Sequence, residues 1–236
     1  MSRETSMGGG PRGFAPTLWT VVLRARGRSR EALEELIGLY WKPIYFFIRR
    51  WGHGVDDAKD LCQDFFAELM DRDVLKGVAP EKGRFRTFLL TVLKRFLINR
   101  SEKARALKRG GGREAVPIDF ARAEEVYASI PSNQETPERA FARQWAIDTL
   151  QRALEALRRE MEAATFDALK PHLAGEGPAY AETAKALGLS VTQLNNTLHR
   201  ARRRYRELLR QEVAAAVENP ADVDDELRGL FEALKA

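Results

Sequence analysis

The sequence has 236 residues and a formal net charge of +5 at pH 7, a size typical of one large or two small domains. Its 44% hydrophobic and 31% charged residues are ordinary for a soluble globular protein. A single cysteine, Cys62, excludes an internal disulfide, and three scattered histidines argue against a zinc enzyme. No apolar run approaches the roughly 18 residues of a membrane span, and the Gly-rich N-terminal stretch lacks the apolar core of a secretory signal. We therefore expect a cytoplasmic protein with no membrane span, metal or other cofactor.

Charge is segregated along the chain. Residues 56–73 contain seven acids and two bases, whereas residues 84–113 contain ten bases and one acid. Residues 212–236 are again acidic, with seven acids against two bases. This separation of sign predicts two kinds of partner, one of which is a polyanion.

Apolar residues recur at three- and four-residue spacing along most of the chain, which predicts helices. The predicted helical stretches are 29–51, 56–70, 86–103, 138–161, 164–172 and 179–216. The last of these is predicted to be a compact group of three helices. Pro43 predicts a kink or a break within the first helix, and Gly and Pro predict a loop over 76–83. Residues 109–137 have little periodicity and are predicted to be a flexible linker between two domains. The predicted fold class is all-α, with two small helical domains after a disordered leader at 1–16.

Residues 180–202 contain the sharpest local pattern. A short helix, a turn at Gly188 and a second helix capped by Ser190 predict a helix-turn-helix, whose second helix enters the DNA major groove. Amides can bind adenine, and arginine binds guanine or phosphate. The side chains expected to face DNA are Thr192, Gln193, Asn195, Asn196, His199, Arg200 and Arg203. A helical hairpin with a solvated basic face is the alternative interpretation.

The acidic helix near residues 56–66 has several chemical interpretations. Asp57, Asp60 and Asp64 share a face and could hold a divalent cation, as in a metal-dependent nucleic-acid enzyme. The same carboxylates could form a docking surface for a basic partner, or a solvated face with no role. A nuclease needs further groups converging on the metal, and the segment that follows is instead strongly basic.

The basic helix combines cations with aromatic residues. Phosphates attract the cations, and unstacked bases need aromatic faces and pockets. Spacing places Phe88 and Phe96 in the core. Phe85, at the junction of loop and helix, is predicted to be the aromatic residue most free to meet a base.

Three blocks in this order and spacing resemble one family. They are the acidic helix at 56–66, the Gly-Arg-Phe-Arg-Thr-Phe-Leu run at 83–89, and the helix-turn-helix at 187–202. Together they resemble the extracytoplasmic-function (ECF) group of bacterial RNA polymerase sigma factors, over roughly residues 29–211. The resemblance implies a non-catalytic protein that binds core RNA polymerase and directs it to promoter DNA, with an anti-sigma factor as a further candidate partner. A stand-alone helix-turn-helix regulator is the alternative.

The resemblance also implies a division of the chain. Residues 17–108 resemble the sigma region 2 domain, 109–137 are the linker, 138–217 resemble region 4, and 218–236 form an acidic tail. In the tail, Leu227, Leu230, Phe231 and Leu234 form an amphipathic stripe. This stripe predicts either a regulatory or docking helix or an ordinary packed one.

Individual residues take their expected roles from the resemblance. Those implied in docking on core polymerase are Asp57, Asp60, Leu61, Gln63 and Asp64. Those implied in opening and reading the minus-ten element are Lys82, Arg84, Phe85, Arg86, Thr87, Lys94, Arg95 and Asn99. The helix-turn-helix residues named above are implied in reading the minus-thirty-five element. Two departures prevent transfer of a promoter preference: Lys94-Arg95 replaces a common Arg-Asn pair, and Asn195-Asn196-Thr197 replaces a common Lys-Ser-Arg.

Overall fold

The computed structural model describes most of the chain between residues 21 and 235. The described ranges are 21–22, 24–25, 27, 29–71, 74–75, 84–106, 118–130, 135–217 and 219–235. The predicted leader at 1–16 and the predicted loop at 76–83, with Lys82, lie outside them. The regular secondary structure of the described residues is helical, which confirms the all-α prediction. None of their helices is both long enough and apolar enough to cross a membrane.

The helices with defined bounds follow each other in a simple order. They are α1 Arg30–Arg50, α2 Val55–Asp71, α3 Phe85–Ala106, α4 Phe120–Ala128, α5 Pro137–Glu160, α6 Ala163–Ala174, α7 Tyr180–Ala186, α8 Val191–Ala216 and α9 Val223–Leu234. Residues 179–216 therefore form two helices rather than the predicted three, because α8 runs unbroken for 26 residues.

Local sequence explains where several helices begin and end. At the start of α1, the Ser29 hydroxyl accepts a hydrogen bond from the Ala32 amide at 3.3 Å, which satisfies one of the unpaired donors of the first turn. Thr136 caps α5 in the same way. Of the kink or break predicted at Pro43, the break does not occur: this residue is buried within α1, which runs from Arg30 to Arg50 and packs against α2 and α5.

One large hydrophobic core holds most of the described helices together. It combines buried side chains of α1 to α5 and Phe166 of α6 with the C-terminal half of α8 and with α9. A second, smaller cluster joins α6, α7 and the N-terminal half of α8 through Leu169, Ala184, Leu194, Leu198 and Ala201. Helix α8 therefore links the two cores, since its two halves contribute to different ones.

Helix α4 lies within the segment predicted to be a linker. Phe120 and Ala123 are buried in the main core, and Glu124 accepts hydrogen bonds from Tyr45 at 2.5 Å and from Arg49 at 2.7 and 3.0 Å. The expectation of an irregular segment is thus wrong for residues 120–128. A nine-residue helix with only two buried residues leaves too little apolar periodicity to recognise. The division of the chain into two domains stays a prediction.

Candidate nucleic-acid and protein interfaces

Helix α2 turns its apolar face to the main core and its carboxylates outward. The buried side of the helix includes Cys62 and Phe65. Asp57 and Asp60 are exposed, whereas Leu61 and Gln63 are half-buried beside them. This arrangement leaves an accessible acidic face, as expected for a helix that meets a basic partner.

Asp64, the third carboxylate predicted on that face, forms an ion pair with the next helix. Its side chain lies 2.5 Å from the Arg100 guanidinium of α3, and the same guanidinium stacks 5.3 Å from the ring of Phe96. In the described part of the chain, no three carboxylate, histidine or cysteine groups converge in a way that could hold a metal ion. The contact with Arg100 instead fixes α2 against α3.

The position of Phe85 overturns one sequence prediction. Only 1% of this residue is exposed, and its ring lies 5.6 Å from that of Tyr40 in an edge-to-face arrangement and 6.0 Å from that of Phe88. Phe85 is therefore part of the core between α1 and α3 and is not free to meet a base. Phe96 is buried as predicted, and Phe88 is half-buried against the same core.

Two arginines at the start of α3 share an acid from α9. Arg84 Nε lies 2.9 Å from Glu226 Oε2, and Arg86 Nη2 donates a hydrogen bond to the same oxygen at 2.9 Å. Arg86 also lies over the Trp145 ring of α5, at 4.5 Å from its centroid. Burial lowers the pKa of the Arg86 guanidinium, although Glu226 opposes this effect. Thr87, the next residue, is exposed.

Sequence reasoning missed Glu226, although the pattern of α9 contained a signal. Glu226 is 2% exposed and lies between Val223 and Leu230, which are three and four residues away and also buried. An acid on the buried face of an amphipathic helix needs a partner, because an unpaired buried charge is costly. That position could have pointed to a cationic partner, but not to its identity.

The exposed middle of α3 borders a cavity. Lys94 reaches Glu138 at the start of α5, at 2.7 Å, and the hydrogen bond from Lys94 lowers the pKa of that carboxyl. Arg95 and Asn99 are exposed and line a cavity of about 210 Å³ whose other walls include Phe96. The remaining walls are Phe65, Glu68, Leu69, Val74 and Val92. The cavity thus has a largely apolar interior with a cation and an amide at its edge, a combination that suits an unstacked base.

The helix-turn-helix has the geometry expected from its sequence. Gly188 has a φ of +66°, in the left-handed region that glycine tolerates best, and makes the turn between α7 and α8. Ser190 and Gln193 form a capping box at the start of α8. The predicted DNA-facing side chains are all exposed: Thr192, Gln193, Asn195, Asn196, His199, Arg200 and Arg203.

Three of these side chains already have intramolecular partners, among them Arg200, which donates to the Thr197 hydroxyl at 3.3 Å. The side-chain oxygen Oε1 of Gln193 accepts a hydrogen bond from the Ser190 backbone amide at 2.8 Å, which leaves the side-chain NH₂ group of Gln193 for other contacts. Arg203 pairs with Glu207 at 3.1 Å on the exposed side of α8. Exposed pairs of this kind contribute little free energy, so Arg203 remains available to a phosphate.

Buried polar contacts hold the first helices of the motif in place. His172 Nε2 of α6 lies 2.8 Å from the Thr183 hydroxyl of α7, and both residues are buried. Arg202 of α8 donates to the His172 carbonyl oxygen at 2.9 Å. These contacts fix the position of α7 and α8 relative to α6, and none of the three residues was singled out as functional from the sequence.

Comparisons with known proteins agree with this arrangement. A family model described as sigma-70 region 2 matches residues 36–106, a range that contains α2, α3 and most of α1. The chain is also similar to RNA polymerase sigma factor YlaC of Bacillus subtilis (strain 168), with 27% identity over 177 residues. That alignment covers 74% of this chain and 90% of the Bacillus protein.

Proposed function

The chain belongs to the RNA polymerase sigma factors of the extracytoplasmic-function type, and from this premise we propose which of its surfaces binds the polymerase and which bind promoter DNA. As a sigma factor it binds core RNA polymerase and directs transcription initiation at promoter DNA. The acidic face of α2 docks on the polymerase, α3 reads the minus-ten element, and α8 reads the minus-thirty-five element. The observation that carries this proposal is the match of residues 36–106 to sigma-70 region 2, because that range contains both the acidic and the basic helix.

Docking on the polymerase rests on the exposed carboxylates of α2. Asp57 and Asp60 are free to meet a basic surface, and Leu61 and Gln63 add partly exposed surface beside them. Complementary charge speeds the encounter of two proteins and fixes their orientation. Asp64 acts through its contact with Arg100, which holds the acidic face in a fixed position relative to α3.

Reading of the minus-ten element rests on the cavity beside α3. Extruding a base from a duplex costs a few kcal/mol, and contacts with a pocket and with phosphates offset that cost. Arg95 and Asn99 at the edge of the cavity supply a phosphate partner and a hydrogen-bonding amide. Lys94 and Thr87 lie on the same helix, so they extend the surface that follows the DNA strand.

Reading of the upstream element rests on the exposed face of α8. Asn195 and Asn196 present amides in the first turns of this helix, where a recognition helix contacts base edges. Arg200 and Arg203 lie further along it and suit phosphates. The chain thus supplies recognition, and the polymerase supplies the chemistry of transcription.

Mixing the purified chain with bacterial core polymerase tests the proposal. We expect co-migration in gel filtration, and we expect Asp57→Asn combined with Asp60→Asn to weaken the complex. Asp167→Asn, which alters an exposed carboxylate on α6, is the matched control and should leave it unchanged. Equal binding by all three proteins would contradict the docking role of α2, and no complex with the unmodified chain at micromolar concentrations would contradict the sigma-factor function.

The upstream reader needs a separate test with duplex DNA. Once a promoter is selected with the reconstituted polymerase, Asn195→Ala should relax discrimination at one upstream base pair by about 1–3 kcal/mol. A uniform loss of affinity for all sequences would instead make Asn195 a phosphate contact.

A further inference from the structure

Helix α9 covers part of the surface that we assign to promoter DNA. Its buried acid, Glu226, contacts Arg84 and Arg86 through one carboxylate oxygen, at 2.9 Å from each. Both arginines belong to the segment proposed to meet the minus-ten element. The contact joins residues 140 positions apart in the sequence, so it brings the acidic tail onto the basic helix.

Apolar contacts hold Glu226 in this position. Val223 and Leu230 lie three residues before and four residues after it, on the same face of α9, and both are buried in the main core. Arg210 of α8 forms a further ion pair with Asp224 in the first turn of α9. The helix packs against α5 and α8, so the Glu226 carboxylate is held in place by a packed helix.

The carboxylate and a DNA phosphate compete for the same donors. Guanidinium groups bind both anions through charge-assisted hydrogen bonds, and the donors that Glu226 engages are unavailable to a phosphate at the same time. Access differs between the two cations: the side chain of Arg84 is 41% exposed, but that of Arg86 is only 16% exposed because it is enclosed between Glu226 and the Trp145 ring. DNA can therefore engage Arg86 fully only after α9 moves.

The charge of the helix adds to this competition. The first turn of α9 contains three acids in succession, Asp224, Asp225 and Glu226. Asp224 pairs with Arg210 and Asp225 with Arg228, whereas Glu226 faces Arg84 and Arg86. DNA approaching these two arginines would meet the negative charge of Glu226 at close range. Repulsion of this kind favours the departure of α9 when DNA binds.

We propose that α9 is an autoinhibitory clasp, which holds Arg84 and Arg86 on Glu226 in the free protein and is displaced when promoter DNA binds. This inference rests on the proposed function, because it needs α3 to be a DNA-binding element. The clasp makes the DNA-competent state a minor fraction of the free protein, and the apparent affinity for DNA falls by that fraction.

Two single substitutions in the full chain test the clasp. Glu226→Gln keeps the shape of the side chain but removes its charge, and Glu232→Gln removes the same charge from the exposed side of the same helix, where the side chain pairs with Lys235. The probe is a fluorescent single-stranded DNA of mixed sequence, and its affinity is measured by anisotropy. We expect Glu226→Gln to tighten binding about tenfold and Glu232→Gln to leave it unchanged. An equal increase in DNA affinity in both variants would mean that the affinity depends only on net charge, and it would overturn the clasp.

A measurement on the unmodified chain keeps the inference testable if Glu226→Gln does not fold. Hydrogen exchange should show that the amides of α9 lose protection when the same DNA is added at saturation, while buried amides of α1 keep theirs. Unchanged protection of α9 in saturated complex would overturn the clasp and leave the sigma-factor function standing. Failure of the unmodified chain to bind either DNA or core polymerase would overturn both.

Discussion

Substitution of Leu194 by alanine should disable the helix-turn-helix and leave the rest of the protein folded. Leu194 is fully buried in the small cluster of α6, α7 and α8, and Leu169 and Leu198 are its largest partners there. Removing three carbon atoms forfeits about 2.4 kcal/mol of transfer free energy at roughly 0.8 kcal/mol per group. The cavity left behind adds to this cost, so we expect a local loss of about 3 kcal/mol, within the range of about 2–5 kcal/mol known for buried leucine.

The effect should remain local because the small cluster shares no buried residue with the main core, and only the partly buried Met161 and Leu173 pack against both. The first half of α8 contributes Leu194 and Leu198 to the small cluster, whereas its second half contributes Leu208 and Val213 to the main core. Hydrogen exchange should therefore show lost protection over residues 163–201 and normal protection in α1 and α5. In gel filtration the variant should still form the complex with core polymerase, but it should no longer discriminate upstream promoter sequences.

Val191→Ala is the matched control for this experiment. Val191 lies one turn earlier on the same helix and is 44% exposed, so its truncation removes little buried surface and should change neither exchange nor DNA recognition. A Leu194→Ala variant that lost protection equally in both cores would refute the reasoning, because it would make the helix-turn-helix and the main core a single cooperative unit.

Two further predictions concern polar groups within the main body. Burial raises the pKa of Asp148 above its ordinary value, although Lys42 at 3.8 Å opposes this shift. A raised carboxyl pKa means that stability is lost as the pH rises through the folded pKa. Asp148→Asn should therefore increase the free energy of unfolding, relative to the unmodified chain, more at pH 7 than at pH 4. Equal increases at the two pH values in urea titrations would contradict this. Glu124→Ala should cost about 1–3 kcal/mol in the same assay, because it removes the carboxylate that accepts from Tyr45 and Arg49 and leaves Arg49 only its hydrogen bond to the His53 carbonyl oxygen. Glu125→Ala, at the exposed neighbouring position, should cost far less.

Apolar periodicity predicted most helices to within a few residues. The predicted helix at 56–70 is Val55–Asp71 in the structure, and the one at 138–161 is Pro137–Glu160. Such segments are long enough for several turns of apolar residues. In the structure, Ser29 and Thr136 cap two of the predicted helices. The same reasoning placed the exposed face of α8, because a single helix determines which of its own residues share a side.

Predictions that depended on tertiary contacts were less successful. Phe85 begins a helix next to a loop, and nothing local indicates that Tyr40, 45 positions earlier in the numbering, covers its ring. Glu226 and its two arginines are likewise brought together only by the packing of α9 on α5 and α8. Short-range patterns specify which face of a helix is apolar, but they do not specify which other helix that face will meet.

The burial of Glu226 makes more sense as a device for specificity than as a source of stability. A buried ion pair loses solvation that the attraction between its charges rarely exceeds, and an apolar residue of similar size is often at least as stabilising. Val223 and Leu230 already provide apolar anchors for α9 on the same face, so a leucine at position 226 would extend an existing contact. Unlike a leucine, a carboxylate at that position can form ion pairs with Arg84 and Arg86. Its attachment is weakened by any competing anion that reaches these cations, and a DNA strand presents such anions in a continuous row.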